Sequence, residues 1–287
     1  MFKELYGAAK RGSLEYAKFL VNKGAPLDDV LEEAIVDEDA TAVSVLLAVR
    51  TPSESEFHYR PLHVACMRQS TKAVELLLQC GADMFERDYF DRVPLSVAIE
   101  QQNVEIVDML LHAAADLNRK PYDEGSPLSD ACMKSSVPVI QCLLQHGAEN
   151  FPDDCGILPI EWACVGGRLD VFKVLVERFG LDQSFPDQQT LLHAASAHSR
   201  NKRIVEWVLQ QPGVKPNARM VNAKDDRGWT PLHSACNNTK ANHVRVLIAA
   251  GAEVNAVDDS GFTPLHQFAA EERTGGSSST YRSSLSA

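Results

Sequence analysis

The chain lacks the features that announce several common classes of protein. No stretch approaches the roughly 18 consecutive apolar residues that a membrane-spanning helix requires, so none is expected. Residues 1–10 carry no apolar run behind their basic side chains, so no secretory signal peptide is expected either. Positive charge is scarce: 28 Lys+Arg face 39 Asp+Glu, for a net charge of −11 and a pI near 5.3. A surface of that sign is poorly suited to displacing counterions from nucleic acid or docking on anionic lipid, so neither is expected as a partner. The seven Cys are odd in number and never form C-x-x-C. Without an export signal they read as reduced thiols of a cytoplasmic protein, the nucleus being the alternative compartment. Aromatics make up only 7% of the chain, so each ring outside the core is informative.

Catalytic signatures are missing too. The sequence holds no G-x-x-x-x-G-K-[ST], no G-x-G-x-x-G and no G-x-S-x-G. His58, His112, His146, His198 and His243 show no ligand spacing such as H-E-x-x-H. The expectation is a protein without a cofactor, a metal or a catalytic residue.

What is present is a repeat. Residues 221–233, VNAKDDRGWTPLH, align with residues 254–266, VNAVDDSGFTPLH, at an offset of 33. Related tetrapeptides open at Arg60, Val93, Ser126, Leu158 and Thr190, so that positions 61, 94, 127, 159, 191, 231 and 264 are separated by 33, 33, 32, 32, 40 and 33 residues. Small residues follow in phase (Ala65-Cys66, Ala98-Ile99, Ala131-Cys132, Ala163-Cys164, Ala235-Cys236). A V-x-x-L-L pattern comes next, as in Val74 with Leu77-Leu78 and Val107 with Leu110-Leu111, and Gly-Ala closes most units.

This pattern resembles the ankyrin repeat, over roughly residues 2–270. The resemblance implies an all-α ankyrin-repeat solenoid of stacked helix-turn-helix units with short β-hairpin fingers, about nine units in all. Thr is expected to cap the first helix through its hydroxyl, with Pro at the first helical position. The V-x-x-L-L stripe is the buried face of the second helix, and Gly ends that helix. A D-x-x-G turn bends each finger back. The resemblance also implies that His63, His193, His233 and His266 bond adjacent units together. Cys66, Cys132, Cys164 and Cys236 fill a small-residue slot. Neighbouring helices about 8–10 Å apart leave these thiols beyond the reach of a disulfide.

Three regions depart from the pattern. Residues 1–56 read as divergent repeats whose two helix pairs, Leu5–Ala25 and Leu31–Val49, lack the opening Pro, the first pair forming a polar-faced cap. Residues 57–270 are the regular repeats; Ala114 takes a helix-ending Gly slot, and most of the seventh unit's extra length falls within 214–219. Residues 271–287 are rich in Ser and are expected to be a disordered tail. An atypical one-helix cap, a truncated chain and an alternative product with a divergent end all fit that ending.

These features predict a non-catalytic adaptor or scaffold, monomeric, that binds a protein partner on its finger and first-helix face. Met67, Arg68 and Met133 lie on first-helix surface positions. Tyr89, Phe90, Tyr122, Trp229 and Phe262 lie at finger tips, among carboxylates that include Asp88, Asp153, Asp225 and Asp258. Aromatics beside charge are typical interface anchors, and the acidity predicts a basic or extended partner segment. Residues 28–39, with seven carboxylates and no Lys or Arg, form a second candidate patch. Arg200, Lys202 and Arg203 form a local basic run suited to a phosphate or an acidic peptide, or simply to a solvated loop. The alternative function is the substrate-recognition subunit of a ubiquitin ligase. Asn118 and Asn255 have the spacing of ankyrin asparagines hydroxylated by a 2-oxoglutarate-dependent enzyme.

Overall fold

Residues 1–50, 60–113, 126–153, 156–181, 185–211, 218–238 and 240–274 are described in a computed structural model. The described residues are α-helical with intervening turns and contain no strand. The fingers are therefore tight turns rather than paired strands. The helices are short, mostly 7 to 11 residues, below the length at which an isolated helix holds in water. Their stability comes from burying apolar faces against neighbours.

Contacts divide the chain into two units. Unit 1 comprises Met1–Tyr122 and Pro138–Ala148; unit 2 comprises Asp123–Val137 and Glu149–Ala287. In unit 1 the first helices are α1 (Phe2–Lys10), α3 (Leu27–Val36), α5 (Pro61–Met67) and α7 (Pro94–Glu100). The second helices are α2 (Leu14–Asn22), α4 (Ala40–Val49), α6 (Thr71–Gln79) and α8 (Val104–Ala113), followed by α10 (Val137–Gln145), which enters this unit at Pro138. The second helices form a row, α2 on α4, α4 on α6 and α6 on α8, while α1 packs on α3 and α5 on α7.

Unit 2 repeats this arrangement. Its first helices are α9 (Pro127–Lys134), α11 (Pro159–Gly166), α13 (Leu191–His198), α16 (Pro231–Asn237) and α18 (Pro264–Thr274), each packed on the next. Its second helices α12 (Leu169–Phe179), α14 (Lys202–Gln210) and α17 (Ala241–Ala249) form the other row. Two residues beyond the Ala163-Cys164 slot, a glycine marks the close stacking. A Cβ on Gly166 would come within 2.9 Å of the Met133 carbonyl oxygen, so α11 meets α9 backbone to side-chain-free backbone.

The core follows the repeat phase. Leu62, Leu95, Leu128, Ile160, Leu192 and Leu232, all in the same slot, are buried, as are Val74, Leu77, Val107, Leu110, Ile140 and Leu143 on second helices. Each such side chain contributes about 1.5–3 kcal/mol relative to exposure. Cys66, Cys80, Cys132, Cys142, Cys164 and Cys236 are free thiols, and all but Cys80 are buried. Burial pushes the Cys66 thiol up to about 12 and Cys236 to about 11, so these are packing groups rather than nucleophiles.

The ends and the insertion differ in detail from the sequence expectations. The helix opened by Pro264 continues to Thr274, past Ala270. In the long seventh unit a four-residue helix, α15 (Ala218–Val221), leads into the next finger. Ala114 and residues 275–287 lie outside the described residues, as does most of the 214–219 insertion.

Candidate partner-binding surface

Four of the described fingers are each built around one aspartate. Asp88 Oδ1 accepts the backbone N–H groups of Phe90 and Arg92, both at 2.9 Å. Asp225 does the same for Arg227 and Trp229 (2.9 and 2.8 Å), and Asp258 for Ser260 and Phe262 (2.9 and 2.8 Å). The second oxygen turns toward the stack: Asp153 Oδ2 accepts from Trp162 Nε1 (2.8 Å), and Asp258 Oδ2 from Trp229 Nε1 (3.2 Å) and Gln267 (3.1 Å). Burial opposes ionisation of Asp258, but the donors aimed at it win and hold its pKa below the usual carboxylate range. These four aspartates therefore face the protein. Among the described residues, the carboxylates displayed at the tips are the exposed Asp91, Asp187, Asp226 and Asp259.

The fingers are also joined in series. The Asp226 N–H donates to the Asp187 carbonyl (3.0 Å), and the Asp259 N–H to the Arg227 carbonyl (3.1 Å). Gly228, at φ 72°, lies so close to the next finger that a Cβ would sit 2.8 Å from the Asp259 nitrogen. Asn222 adds a clasp, accepting from Glu253 N–H (2.8 Å) and donating to the Gly251 carbonyl (3.3 Å).

In α5, α13 and α16 the histidine slot links the first helix to the next finger. His193 Nδ1 accepts the Thr190 N–H (3.1 Å), and its Nε2–H donates to the Trp229 carbonyl (3.0 Å). His233 repeats this with Thr230 (3.1 Å) and the Phe262 carbonyl (3.1 Å). A backbone N–H can only donate, so Nδ1 carries the lone pair and the proton sits on Nε2. The threonine hydroxyl, 2.8–2.9 Å from Nδ1, is then also a donor. The expected hydroxyl cap is thus largely replaced by an imidazole cap; only Thr190 also accepts from a helix N–H, at 3.4 Å. Burial lowers the pKa of His63, His193 and His233. His63 bonds the Arg92 carbonyl (2.7 Å), but Arg60 stands where Thr stands elsewhere, and His63 Nδ1 is buried without a hydrogen-bond partner.

Glu161 occupies the same slot in α11. Its Oε2 accepts the Leu158 N–H at 2.8 Å, and burial pushes its pKa up to about 7. His198 approaches to 3.9 Å, with its own pKa lowered by burial to about 4. Burial favours the neutral form of both groups, so this contact is not an ion pair between pH 4 and 7.

The sequence-selected residues separate into two kinds. Tyr89 and Phe90 are 77% and 71% exposed and pack only edge-on against each other (centroids 5.5 Å), with the Arg92 guanidinium 5.0 Å from the Phe90 ring. Met67 and Phe262 are about half exposed, and Met133 is half-buried. Arg68 is exposed but paired with Glu32. Trp229 is structural: half-buried, bonded to Asp258, stacked on His233 (6.4 Å) and covered by Arg227 (4.6 Å). Tyr122 and Asn118 lie outside the described residues, and Asn255 is exposed. In the 28–39 segment, Asp37 pairs with Tyr6 and Lys10, Glu32 with Arg68, and Glu38 with Lys72, while Asp39 caps α4. Much of that charge is answered internally.

Two polar clusters lie elsewhere. Arg200 and Lys202 line a cleft of about 430 Å³ with Ser199, Asn201, Lys240 and His243 in unit 2, and burial, with Arg200 nearby, lowers the Lys240 pKa. In unit 1, Asp108 and His112 on α8 meet His146 just after α10. Ligand spacing within a single segment does not reveal this group, because two different helices supply it. The readable signal was a pair of i,i+4 motifs, Asp108-x-x-x-His112 and Cys142-x-x-x-His146, on second helices of adjacent repeats.

Helix pairs in register, fingers stacked through backbone bonds and an imidazole relay define a repeat-built interaction domain. The family profile described as ankyrin repeats (3 copies) matches residues 5–121, 128–220 and 192–277, and the chain belongs to the ankyrin-repeat family. Ankyrin repeats are protein–protein interaction modules. The fold is similar to that of the human ASB11 ankyrin repeat domain (TM-score 0.57, 22% identity, covering 72% of this chain and 90% of that one). It is equally similar to the ankyrin repeat domain of Bcl-3, a member of the IkappaB protein family (TM-score 0.58, 23% identity, 74% and 95% covered). Among curated proteins, the SMC5-SMC6 complex localization factor protein 1 of Bos taurus is 35% identical over 63 residues, 22% of this chain and only 5% of that protein's length.

Proposed function

We propose that this chain is a non-catalytic adaptor that binds a protein partner through its finger tips and first-helix surfaces, acting as a monomer in the cytoplasm or nucleus. The observation that carries the reading is the Tyr89–Phe90 tip, two adjacent rings left largely in solvent on a finger whose own Asp88 holds it rigid. A rigid aromatic pair loses little conformational entropy on binding, which suits an interface anchor. Met67 and Arg68 extend this surface in unit 1. In unit 2, Met133 and Phe262 serve, with Asp226 and Asp259 offering charge to a basic or extended segment. Trp229 contributes by shaping its finger, and the repeat phase puts Tyr122 among the tip residues.

Affinity capture followed by mass spectrometry tests this, comparing wild type with Tyr89→Ala/Phe90→Ala. Loss of specific partners with an unchanged circular dichroism spectrum and melting curve is expected; an identical partner set from both would refute the surface. The ubiquitin-ligase alternative gains no support from the described residues. Asn255 is exposed and so accessible to a hydroxylase, whereas Asn222, in the same slot one repeat earlier, is engaged by the next turn. Incubation with an asparaginyl hydroxylase should add about 16 Da for one oxygen atom, and Asn255→Ala should abolish the addition.

A further inference from the structure

We propose that Asp108, His112 and His146 form a binding site for a borderline divalent cation, best matched by Zn2+, on the second-helix side of unit 1. The inference is independent of the partner-binding reading. Asp108 and His112 lie four residues apart on α8, so both side chains leave the same helix face. His146, immediately after α10, is brought to them by helix packing. One ligand atom from each of the three lies within 4.8 Å of the other two. Asp108 Oδ1 is 2.8 Å from His146 Nε2 and 3.4 Å from His112 Nδ1, and the two imidazole centroids are 4.6 Å apart.

Those separations suit zinc. With metal–ligand bonds of about 2.0–2.1 Å in a tetrahedron, ligand atoms stand about 3.3 Å from one another, so side-chain shifts of the order of an ångström assemble the site. Two imidazoles and one carboxylate select zinc, copper, nickel or cobalt over magnesium and calcium, which demand more oxygen ligands. Asp108 and His112 are substantially exposed, leaving an entry path and a fourth position for water. His112 Nδ1 now contacts the Asp108 carbonyl oxygen at 2.9 Å, and this surface ring is free to exchange that bond for the ion.

A simple interhelical latch accounts for the Asp108–His146 hydrogen bond but assigns nothing to His112. The metal site uses all three. Cys142, one turn before His146, is buried with its sulfur 3.9 Å from Asp108 Oδ1, and it forms the floor of the site rather than a ligand. A bound ion would tie α8 to the end of α10 within unit 1, across positions 38 residues apart.

The test is calorimetric titration of the full, tag-free, chelator-treated chain with zinc chloride, with magnesium chloride as control. Saturable one-to-one zinc uptake and a zinc-dependent rise in Tm are expected, with no response to magnesium. His112→Ala, which alters an exposed side chain, should keep the fold. His112→Ala and His146→Gln should each lower zinc affinity by at least the roughly tenfold that the loss of even an outer-shell partner costs, and His112→Ala should cancel the rise in Tm. Cys142→Ser should leave affinity within about twofold, since the thiol is not a ligand. Absence of saturable uptake, or uptake undiminished in both histidine variants, overturns the site. A tenfold loss in Cys142→Ser overturns the three-ligand assignment.

Discussion

Two identical tetrapeptides in unit 2 have opposite surroundings. Thr230-Pro231-Leu232-His233 and Thr263-Pro264-Leu265-His266 both open a helix, and in both the imidazole Nδ1 accepts the threonine N–H at 3.1 Å. Yet Leu232 is 2% exposed and Leu265 is 71% exposed. His233 also bonds the next finger's carbonyl and is fully buried, whereas His266 is exposed. Local sequence thus suffices for the helix start, whereas burial comes from the helices packed around it: α16 is enclosed by α13, by its own second helix α17 and by α18. That is the physical meaning of a repeat: half of each hydrophobic face belongs to its neighbour.

The contrast can be broken most forcefully at the leucine. Leu232→Ala is expected to cost about 2–5 kcal/mol, while Leu265→Ala should stay within about 0.5 kcal/mol; paired urea denaturation curves check the difference. The next largest effect tests the same slot where Glu161 replaces histidine. Burial raises the Glu161 pKa from 4.5 to about 7, so the folded state holds a proton that the unfolded state has released. Stability from this group is present below about pH 4.5 and is lost as pH rises to about 7. Glu161→Gln should therefore stabilise the protein at pH 8 by up to about 3 kcal/mol and change little at pH 4.5. A wild-type-minus-variant difference that is flat between those pH values would sink this reading. His198 has the opposite sign. Its pKa is depressed to about 4, so its contribution is full above 6.5 and is lost as pH falls toward 4.

A smaller effect sharpens the comparison at the relay. His233→Ala leaves the buried Thr230 N–H unpaired and removes one of the two donors to the Phe262 carbonyl, which keeps the Asp258 N–H, at about 2 kcal/mol. His266→Ala loses only an exposed cap, about 0.5–1 kcal/mol. Guanidinium midpoints of the two variants check the ranking. Smallest of all, Tyr89→Ala/Phe90→Ala should move stability by no more than about 0.5 kcal/mol, because these rings stand in solvent; differential scanning calorimetry would read it.

The repeat phase made most of the fold legible. The T-P-L-H and V-x-x-L-L slots located the first and second helices, and their apolar members are the core from Leu62 to Leu247. What a periodic string does not encode is which way a polar side chain turns. Asp88, Asp225 and Asp258 read as displayed charge but fold inward onto their own turns, and Trp229 reads as an anchor but bonds to the next finger. The Asp108, His112 and His146 cluster has no signature within any one segment of the chain, because two adjacent second helices supply it. The left-handed backbone at Gln69 (φ 56°) and Gln102 (φ 58°) was also unmarked, since the equivalent position elsewhere is Gly167.

The imidazole relay has a kinetic consequence. His63 reaches 29 residues ahead, His193 36 and His233 29, and none reaches farther than the next finger. Cooperativity built from such links is a nearest-neighbour property, like a row of coupled two-state switches. Amide protection should therefore fall stepwise toward the Leu265 end, one repeat at a time. A severed relay at His193 would let the repeats beyond it open as a block while those before it keep their exchange rates.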